Sequence, residues 1–242
     1  MMLLRSLLFS LGMWISTVVI ATLALLTLPL PFEYRFRFIS QYARFNIWWL
    51  EKTCAVNYVV QGMENIPATN GILMCKHQST WETLILQKIF PSQVWVLKRE
   101  LLWVPFFGWA LALLEPIAID RGAGRKAIKQ LINQGKAKLA QGRWVVIYPE
   151  GTRMAPGVRG RYALGGAILA EHSGYPIVPI AHNAGEFWPR RQFLKRPGTI
   201  RVVIGPSILT QDRKAQDINK DVEDWIEGEM LAITDPQYQT PG

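Results

Sequence analysis

The sequence holds few of the residues that build disulfide frameworks and metal centres. Among its 242 residues there are two cysteines, Cys54 and Cys75, and three histidines. Two cysteines cannot make a disulfide framework, and no CxxC or clustered His/Cys spacing indicates a zinc site. We therefore expect no bound metal and no metal cofactor. Charged residues make up only 19% of the chain and hydrophobic residues 50%, which excludes a disordered protein.

Two motifs of nucleotide and ester chemistry are also absent. The chain has no GxxxxGK(S/T) loop, which excludes nucleotide binding of that type. It has no GxSxG elbow either, which argues against a serine hydrolase.

Acidic residues are scarce except near the C-terminus. The chain has 27 Lys and Arg against 18 Asp and Glu, a net charge of +9. Residues 211–242 hold three basic and eight acidic groups, so residues 1–210 carry 24 minus 10, or +14. A basic surface attracts nucleic acid, anionic lipid or phosphorylated small molecules. We expect membrane lipid as the partner because of the apolar N-terminus described below, and no nucleic acid because no nucleic-acid-binding motif is recognisable.

An uncharged run of 27 residues, 6–32, predicts a membrane-associated helix. As one helix it would be roughly 40 Å long against a hydrocarbon core of about 30 Å, and Pro29 and Pro31 predict an earlier end. A cleaved signal peptide is disfavoured because no small-x-small site follows the run. A buried core helix is disfavoured because every face is apolar.

The residues after the prolines predict the orientation in the membrane. Arg35, Arg37 and Arg44 follow the apolar run, and the positive-inside rule then places the body of the protein on the cytoplasmic side. Residues 38–50 predict a second helix, either lying in the membrane interface or packed on the domain. Whether this region crosses the bilayer once or dips in and returns stays open. We divide the chain into membrane-associated helices at 1–52 and an α/β domain at 53–242.

The rest of the chain alternates short apolar runs with helical segments. Strands are predicted at 55–62, 71–76, 93–98, 115–120, 143–149, 175–181 and 199–205. Helices are predicted at 80–90, 100–114, 124–141, 161–173 and 215–233. This order predicts an α/β fold with a largely parallel central sheet flanked by helices. In such sheets functional sites gather at the carboxyl ends of the strands.

One such strand end carries His77, with Glu82 five residues further on. On one continuous helix the two would lie about 140° apart, so they meet only if His77 is in the loop and Glu82 on the next helix. A carboxylate on one imidazole nitrogen fixes the tautomer and leaves the other nitrogen as a base. The alternative is structural, because residues 79–82 also form a capping box.

A second strand end carries Glu150, Gly151, Thr152 and Arg153. An arginine suits bidentate phosphate binding, and a glycine lets a backbone N–H approach an anion closely. The alternative is a plain turn with a surface salt bridge.

Together these residues resemble the 1-acylglycerol-3-phosphate (lysophosphatidic acid) acyltransferases of glycerolipid synthesis, in particular the small bacterial branch. That family has an HX4D motif, a phosphate-contacting block, an EGTR block and a VP block. The matching segments are His77-x4-Glu82, residues 98–101 (KREL) with 105–109 and 119–121, residues 149–153 (PEGTR) and residues 177–180 (IVPI). The four blocks occur in the family's order over roughly residues 60–205. One departure is Glu82, where the family usually has Asp.

The resemblance implies an acyl transfer without a cofactor. The acyl donor would be acyl-CoA or acyl carrier protein and the acceptor lysophosphatidic acid, with His77 as base and Glu82 orienting it. Lys98, Arg121 and Arg153 would bind the acceptor phosphate. Glu150, Gly151 and Thr152 of the third block would also be substrate-binding residues, with backbone N–H groups near Gly151 as oxyanion donors. The enzyme would lie in the bacterial inner membrane. Another lyso-lipid acceptor, or a thioesterase that activates water, are the alternatives.

Overall fold

Seven strands form one sheet in the structure, a computed structural model that describes residues 1–239 apart from the Arg121 side chain. The strands are β1 (Val56–Gln61), β2 (Ile72–Cys75), β3 (Gln93–Lys98), β4 (Ile117–Ile119), β5 (Trp144–Ile147), β6 (Ile177–His182) and β7 (Gly198–Ile204). Their order is β1-β7-β6-β2-β5-β3-β4. Five of the six described pairings are parallel, and β6 pairs antiparallel with β7. The predicted largely parallel sheet is confirmed.

The central strands are buried along their whole length. Every residue of β2, β5 and β6 is buried, because helices cover both faces of the sheet there. The edge strand β1 instead alternates buried and more exposed positions. Continuous apolar runs therefore mark the middle of the sheet, and the loops that follow β2 and β5 emerge side by side from it.

After the hairpin, residues 55–239 contain six helices. They are α3 (Trp81–Ile89), α4 (Phe107–Leu113), α5 (Arg125–Ala140), α6 (Gly165–Ser173), α7 (Ala184–Phe187) and α8 (Ala215–Ile233). The prediction of one helix over 100–114 is wrong. A 3₁₀ turn at Arg99–Trp103 comes first, and α4 begins only after Pro105 and Phe106. Proline interrupts the helix hydrogen bonds, and Phe106 has a positive φ of 61°.

The N-terminal region is a helical hairpin. Helix α1 (Met2–Ala24) continues into a 3₁₀ turn at Leu25–Thr27, and α2 (Phe32–Cys54) begins directly after Pro31. The two prolines thus separate the helices as the sequence predicts. Helix α2 is longer than the predicted 38–50, and the proposed domain boundary at residue 52 falls in its last turn.

The hairpin is joined by specific contacts between its helices. Asn46 donates a hydrogen bond to the Ser16 hydroxyl (3.1 Å), and the Trp49 indole donates to the Leu8 carbonyl (3.2 Å). Gly12 lies against the Trp49 ring, where a Cβ atom would come within 2.2 Å of the indole nitrogen. The absence of a side chain at residue 12 therefore permits this close approach.

The same hairpin also docks on the α/β domain. The Ser6 hydroxyl accepts a hydrogen bond from the Lys195 backbone N–H (2.9 Å), and Phe9 packs edge-to-face on Trp188 with ring centroids 5.1 Å apart. The opposite face of α1 carries exposed large apolar residues. These are Leu3, Leu4, Leu7, Leu8, Leu11 and Trp14. Met2–Thr27 is the one helical segment of residues 1–239 that is long and apolar enough to cross a membrane.

Candidate active site

The loop after β2 brings His77 and Glu82 together. His77 lies just beyond the end of β2, and Glu82 occupies the first turn of α3. The Nδ1 atom of His77 is 2.8 Å from Oε1 of Glu82. Because the carboxylate can only accept, Nδ1 carries the proton and Nε2 remains to act as a base.

Glu82 is completely buried, and its hydrogen bonds explain why its charge is tolerated there. Its Oε1 accepts from the backbone N–H groups of Gln78 (3.0 Å) and Ser79 (2.8 Å) as well as from His77. Burial acts to raise its pKa, but the imidazoles of His182 and His77 and the Ser79 N–H outweigh that effect and lower it. The side chain therefore caps the helix and orients the histidine at once.

Tyr148, the residue directly before the PEGTR block, packs flat on His77. The two ring centroids are 4.1 Å apart and the planes differ by 18°. Tyr148 follows β5, the neighbour of β2 in the sheet, so the stacking arises from the parallel pairing of these strands. The imidazole is thus held at its edge by Glu82 and on one face by Tyr148.

A further histidine that was not predicted, His182, lies next to this pair. Its Nε2 is 3.9 Å from Oε2 of Glu82. His182 ends β6 and is 1% exposed. Its Nε2 donates to the Lys76 carbonyl (2.7 Å), and its Nδ1 accepts from the Ala184 N–H (3.2 Å). Burial lowers the pKa of His182, which agrees with the neutral form that these two bonds require. The signal was available, because His182 directly follows a predicted strand at the same end of the sheet.

The four EGTR residues of the third block, 150–153, separate into two groups. The Glu150 carboxylate is buried away from solvent, where its Oε1 lies 3.5 Å from Lys76 Nζ and accepts from the His77 N–H at 3.3 Å. Burial raises the pKa of Glu150. Gly151, Thr152 and Arg153 instead line a cavity, and Gly151 has a left-handed φ of 67°.

His77 lines a cavity of about 680 Å³. Part of the lining is apolar and comes from the hairpin and from α4. It includes Met13, Ile20 and Ala21 of α1, Ile39 of α2, and Ala110 and Leu111 of α4. Another part of the lining is basic, with Lys98, Arg153, Arg190 and Arg191. A cavity lined in this way suits a molecule with a long apolar part and an anionic head.

The basic residues of the cavity lining come from three parts of the chain. Lys98 ends β3, where it is the register partner of Ile119 in β4, and the 3₁₀ turn that begins at Arg121 follows closely. The Arg121 side chain itself lies outside the described part. Arg190 was not predicted, and it donates a hydrogen bond to the Arg153 carbonyl. Its sequence signal is only a pair of adjacent arginines after Trp188 and Pro189.

Within residues 1–239, no group of three or more His, Cys, Asp or Glu side chains is arranged to hold a metal ion. Both Cys54 and Cys75 are buried thiols, and burial raises the pKa of Cys75 well above its ordinary value. Neither thiol therefore has the character of a nucleophile.

A histidine oriented by a carboxylate, beside a cavity lined by apolar and basic residues, is suited to general-base catalysis on a substrate with an apolar part and an anionic part. Comparison with known proteins specifies the family. Residues 57–183 match the family model described as Acyltransferase. The chain is 46% identical over 240 residues to the 1-acyl-sn-glycerol-3-phosphate acyltransferase of Pseudomonas aeruginosa, covering 97% of this chain and 93% of that protein. It is 27% identical to the enzyme of the same name from Cocos nucifera, covering 88% and 69%.

The fold agrees with this assignment. The crystal structure of the 1-acyl-sn-glycerophosphate acyltransferase PlsC from Thermotoga maritima superimposes with a TM-score of 0.80 at 21% identity, over 96% of this chain and 95% of that one. The chain therefore belongs to the acyltransferase family, and the resemblance predicted from its four sequence blocks is confirmed.

Proposed function

We propose that this acyltransferase moves a fatty acyl group from acyl-CoA or acyl carrier protein to the free hydroxyl of 1-acyl-sn-glycerol-3-phosphate, forming phosphatidic acid. The observation that carries the proposal is that His77, oriented by Glu82, lines a cavity whose other lining residues are partly apolar and partly basic. The names of the Pseudomonas and Cocos relatives support the acceptor.

In the reaction, Nε2 of His77 takes the proton of the acceptor hydroxyl while the oxygen attacks the thioester carbonyl. The resulting imidazolium is stabilised by the ionised Glu82. The tetrahedral intermediate then collapses, the carbon–sulfur bond breaks, and His77 returns its proton to the thiolate. The products are the new ester and a free thiol, with no covalent enzyme intermediate.

We propose that the turn after β5 stabilises the oxyanion of that intermediate. The Gly151 N–H donates to the Tyr148 carbonyl at 3.0 Å. We therefore assign the oxyanion contact to the next N–H groups of the turn, those of Thr152 and Arg153, whose residues line the cavity beside His77.

The apolar and basic parts of the cavity lining would divide the substrates between them. The acceptor phosphate would lie among Lys98, Arg153 and Arg190, with Arg121 close by on the chain, because guanidinium groups bind phosphate in a bidentate manner. The acyl chain would lie against the apolar part. Helix α4 contributes to that part, as expected if the segment after residue 100 lines the acyl site. Glu150 is buried behind the turn, and we assign it a role in holding that turn rather than in contacting substrate.

We further propose that the helical hairpin holds the active site at the inner membrane of a bacterium, with the domain on the cytoplasmic side. The outer face of α1 exposes leucines and a tryptophan, while its inner face contributes to the apolar part of the cavity lining. Trp103 and Trp109 are also exposed, and tryptophan favours the membrane–water interface. A substrate with an acyl chain could then enter from the bilayer without crossing water.

The test is acyl transfer by the purified protein in detergent. Labelled palmitoyl-CoA or oleoyl-CoA would be supplied with lysophosphatidic acid, and palmitoyl carrier protein in a parallel assay, with His77→Ala as the control. We expect labelled phosphatidic acid from the wild type and a loss of about 10²- to 10⁴-fold in the variant, the usual contribution of a general base.

Other outcomes would redirect the assignment. Release of free fatty acid without phosphatidic acid would indicate a thioesterase. Transfer to another lyso-lipid, but not to lysophosphatidic acid, would contradict the proposed acceptor. Equal activity of the wild type and the His77→Ala variant would refute the assigned base.

A further inference from the structure

A lysine without an assigned role is buried directly beside the catalytic histidine. Lys76 is 1% exposed, and its ammonium lies 2.6 Å from Oε1 of Glu227 on α8. It also donates to the Val158 carbonyl (3.3 Å) and lies 3.5 Å from Glu150 Oε1. Two segments far apart in sequence, the C-terminal helix and the turn after β5, therefore meet at this one charge.

We propose that Lys76 and Glu227 are positioning residues, through which the acidic helix α8 sets the orientation of His77 for acyl transfer. This inference rests on the proposed function in one respect, namely that His77 is the base. It gives the acidic C-terminal region a role in catalysis that neither its composition nor the acyl-transfer mechanism requires.

Both polar groups of the peptide bond between residues 76 and 77 are held by buried side chains. Its carbonyl, on Lys76, accepts a hydrogen bond from His182 (2.7 Å), and its N–H, on His77, donates to Glu150 (3.3 Å). A peptide group is planar, so fixing the carbonyl and the N–H fixes the whole plane. The direction in which the His77 side chain leaves the backbone is thereby set by two buried side chains.

Glu150 is in turn linked to α8 through the Lys76 ammonium. Its Oε1 accepts the His77 N–H and faces the Lys76 ammonium at the same time. The ammonium is held at its other side by Glu227, whose Oε1 also accepts from the Tyr162 hydroxyl at 2.8 Å. The contacts thus run without a break from α8 to the backbone of the catalytic histidine.

The Lys76 ammonium lies between two carboxylates, those of Glu150 and Glu227. A buried ammonium requires a close counter-charge, and Glu227 is the nearer of its two carboxylates. If Glu227 is neutralised, the Lys76 ammonium moves toward Glu150 and competes with the His77 N–H for the same oxygen. The plane of the 76–77 peptide then turns, and Nε2 of His77 is displaced from the acceptor hydroxyl.

The decisive experiment compares Glu227→Gln with Glu223→Gln. Both are the same chemical change on α8, one helical turn apart, and Glu223 also forms a salt bridge, at 2.7 Å to Arg159. The Arg159 side chain is 60% exposed, so that bridge contributes little. We expect kcat of Glu227→Gln to fall by about ten- to a hundredfold, the cost of a displacement of up to about 1 Å, with KM for the acceptor nearly unchanged. Glu223→Gln should stay within about twofold of the wild type.

A double-mutant cycle separates positioning from general stability. In a Lys76→Met background the ammonium that would move is absent, so adding Glu227→Gln should cost less than about twofold further in kcat. An equal loss in both backgrounds would overturn the proposal, as would a Glu227→Gln enzyme with wild-type kcat. Glu227→Asp, which keeps the charge, should recover most of the lost kcat.

A readout without substrate keeps this inference distinct from the proposed function. Modification of His77 by diethyl pyrocarbonate can be followed by peptide mass spectrometry, with the exposed His172 as internal reference. We expect the rate at His77 relative to His172 to change in Glu227→Gln and not in Glu223→Gln. An unchanged relative rate would refute the coupling, whether or not the wild type makes phosphatidic acid.

Discussion

Replacing Glu82 by glutamine separates its proposed catalytic role from its structural one. The amide oxygen can still accept from the backbone N–H groups of Gln78 and Ser79, so the first turn of α3 remains capped. What is lost is the negative charge beside His77. We take the imidazolium and carboxylate charge centres as about 4 Å apart and the effective dielectric constant as about 20. The carboxylate charge then stabilises the imidazolium form of His77 by about 4 kcal/mol. The expected loss in kcat is therefore about three powers of ten.

Glu82→Asp is the matched control for geometry. It keeps the charge but withdraws the carboxylate by roughly 1.5 Å, one carbon–carbon bond. We expect a smaller loss in kcat, of about a hundredfold or less. Both variants would be assayed for labelled phosphatidic acid under single-turnover conditions, and their melting temperatures compared. If Glu82→Gln folds normally and keeps more than about a tenth of the wild-type kcat, Glu82 is only a helix cap and the proposed pair is refuted.

Two further predictions concern Tyr148, which stacks on His77, and Glu115, which binds three basic side chains elsewhere. The Tyr148 hydroxyl is buried without a hydrogen-bond partner among the described residues, so Tyr148→Phe should leave kcat within about twofold and raise the free energy of unfolding by about 1 kcal/mol. Tyr148→Leu should lower kcat about tenfold, because the ring stacked on His77 is lost; equal kinetics of the two variants would contradict this. Glu115, whose hydrogen bonds to three basic side chains outweigh burial, has a pKa lowered to about 2. A folded-state pKa below the unfolded one stabilises the fold above about pH 4.5, and this contribution is lost as pH falls toward 2. Because the carboxylate is 34% exposed, Glu115→Gln should cost only about 1–2 kcal/mol in urea unfolding at pH 7, a difference that shrinks below about pH 4.5; a constant difference would refute the assignment.

The strands could be predicted because a strand that is buried on both faces has a local sequence pattern, a continuous run of apolar residues. Strands β2, β5 and β6 are unbroken apolar runs bounded by glycine, proline or charged residues, and all seven predicted strands are found. Helix 100–114 was mispredicted for an equally local reason. Its composition is apolar and helix-forming, but Pro105 removes a backbone donor in its middle, and the chain turns there through Phe106.

The part of the site that could be predicted is the part that is local or shares one sheet edge. His77 and Glu82 lie within one loop and one helical turn, so their spacing decides whether they meet. Lys98 and Arg153 follow different strands, but the strands are parallel and their carboxyl ends converge on one cavity. His182 obeys the same rule and could have been found by it.

The residues that support the site, Lys76 and Glu227, could not be paired from any local sequence pattern. Lys76 and Glu227 are 151 residues apart, and an acidic residue on an amphipathic helix has the pattern of a solvated surface. Only the packing of α8 against β6 brings that carboxylate under the loop after β2, where it meets a lysine that a sequence pattern would also place in solvent. A buried pair of this kind is costly to desolvate and weak evidence of stability alone. Its position beside the 76–77 peptide group, which precedes the proposed base, favours the functional role proposed above.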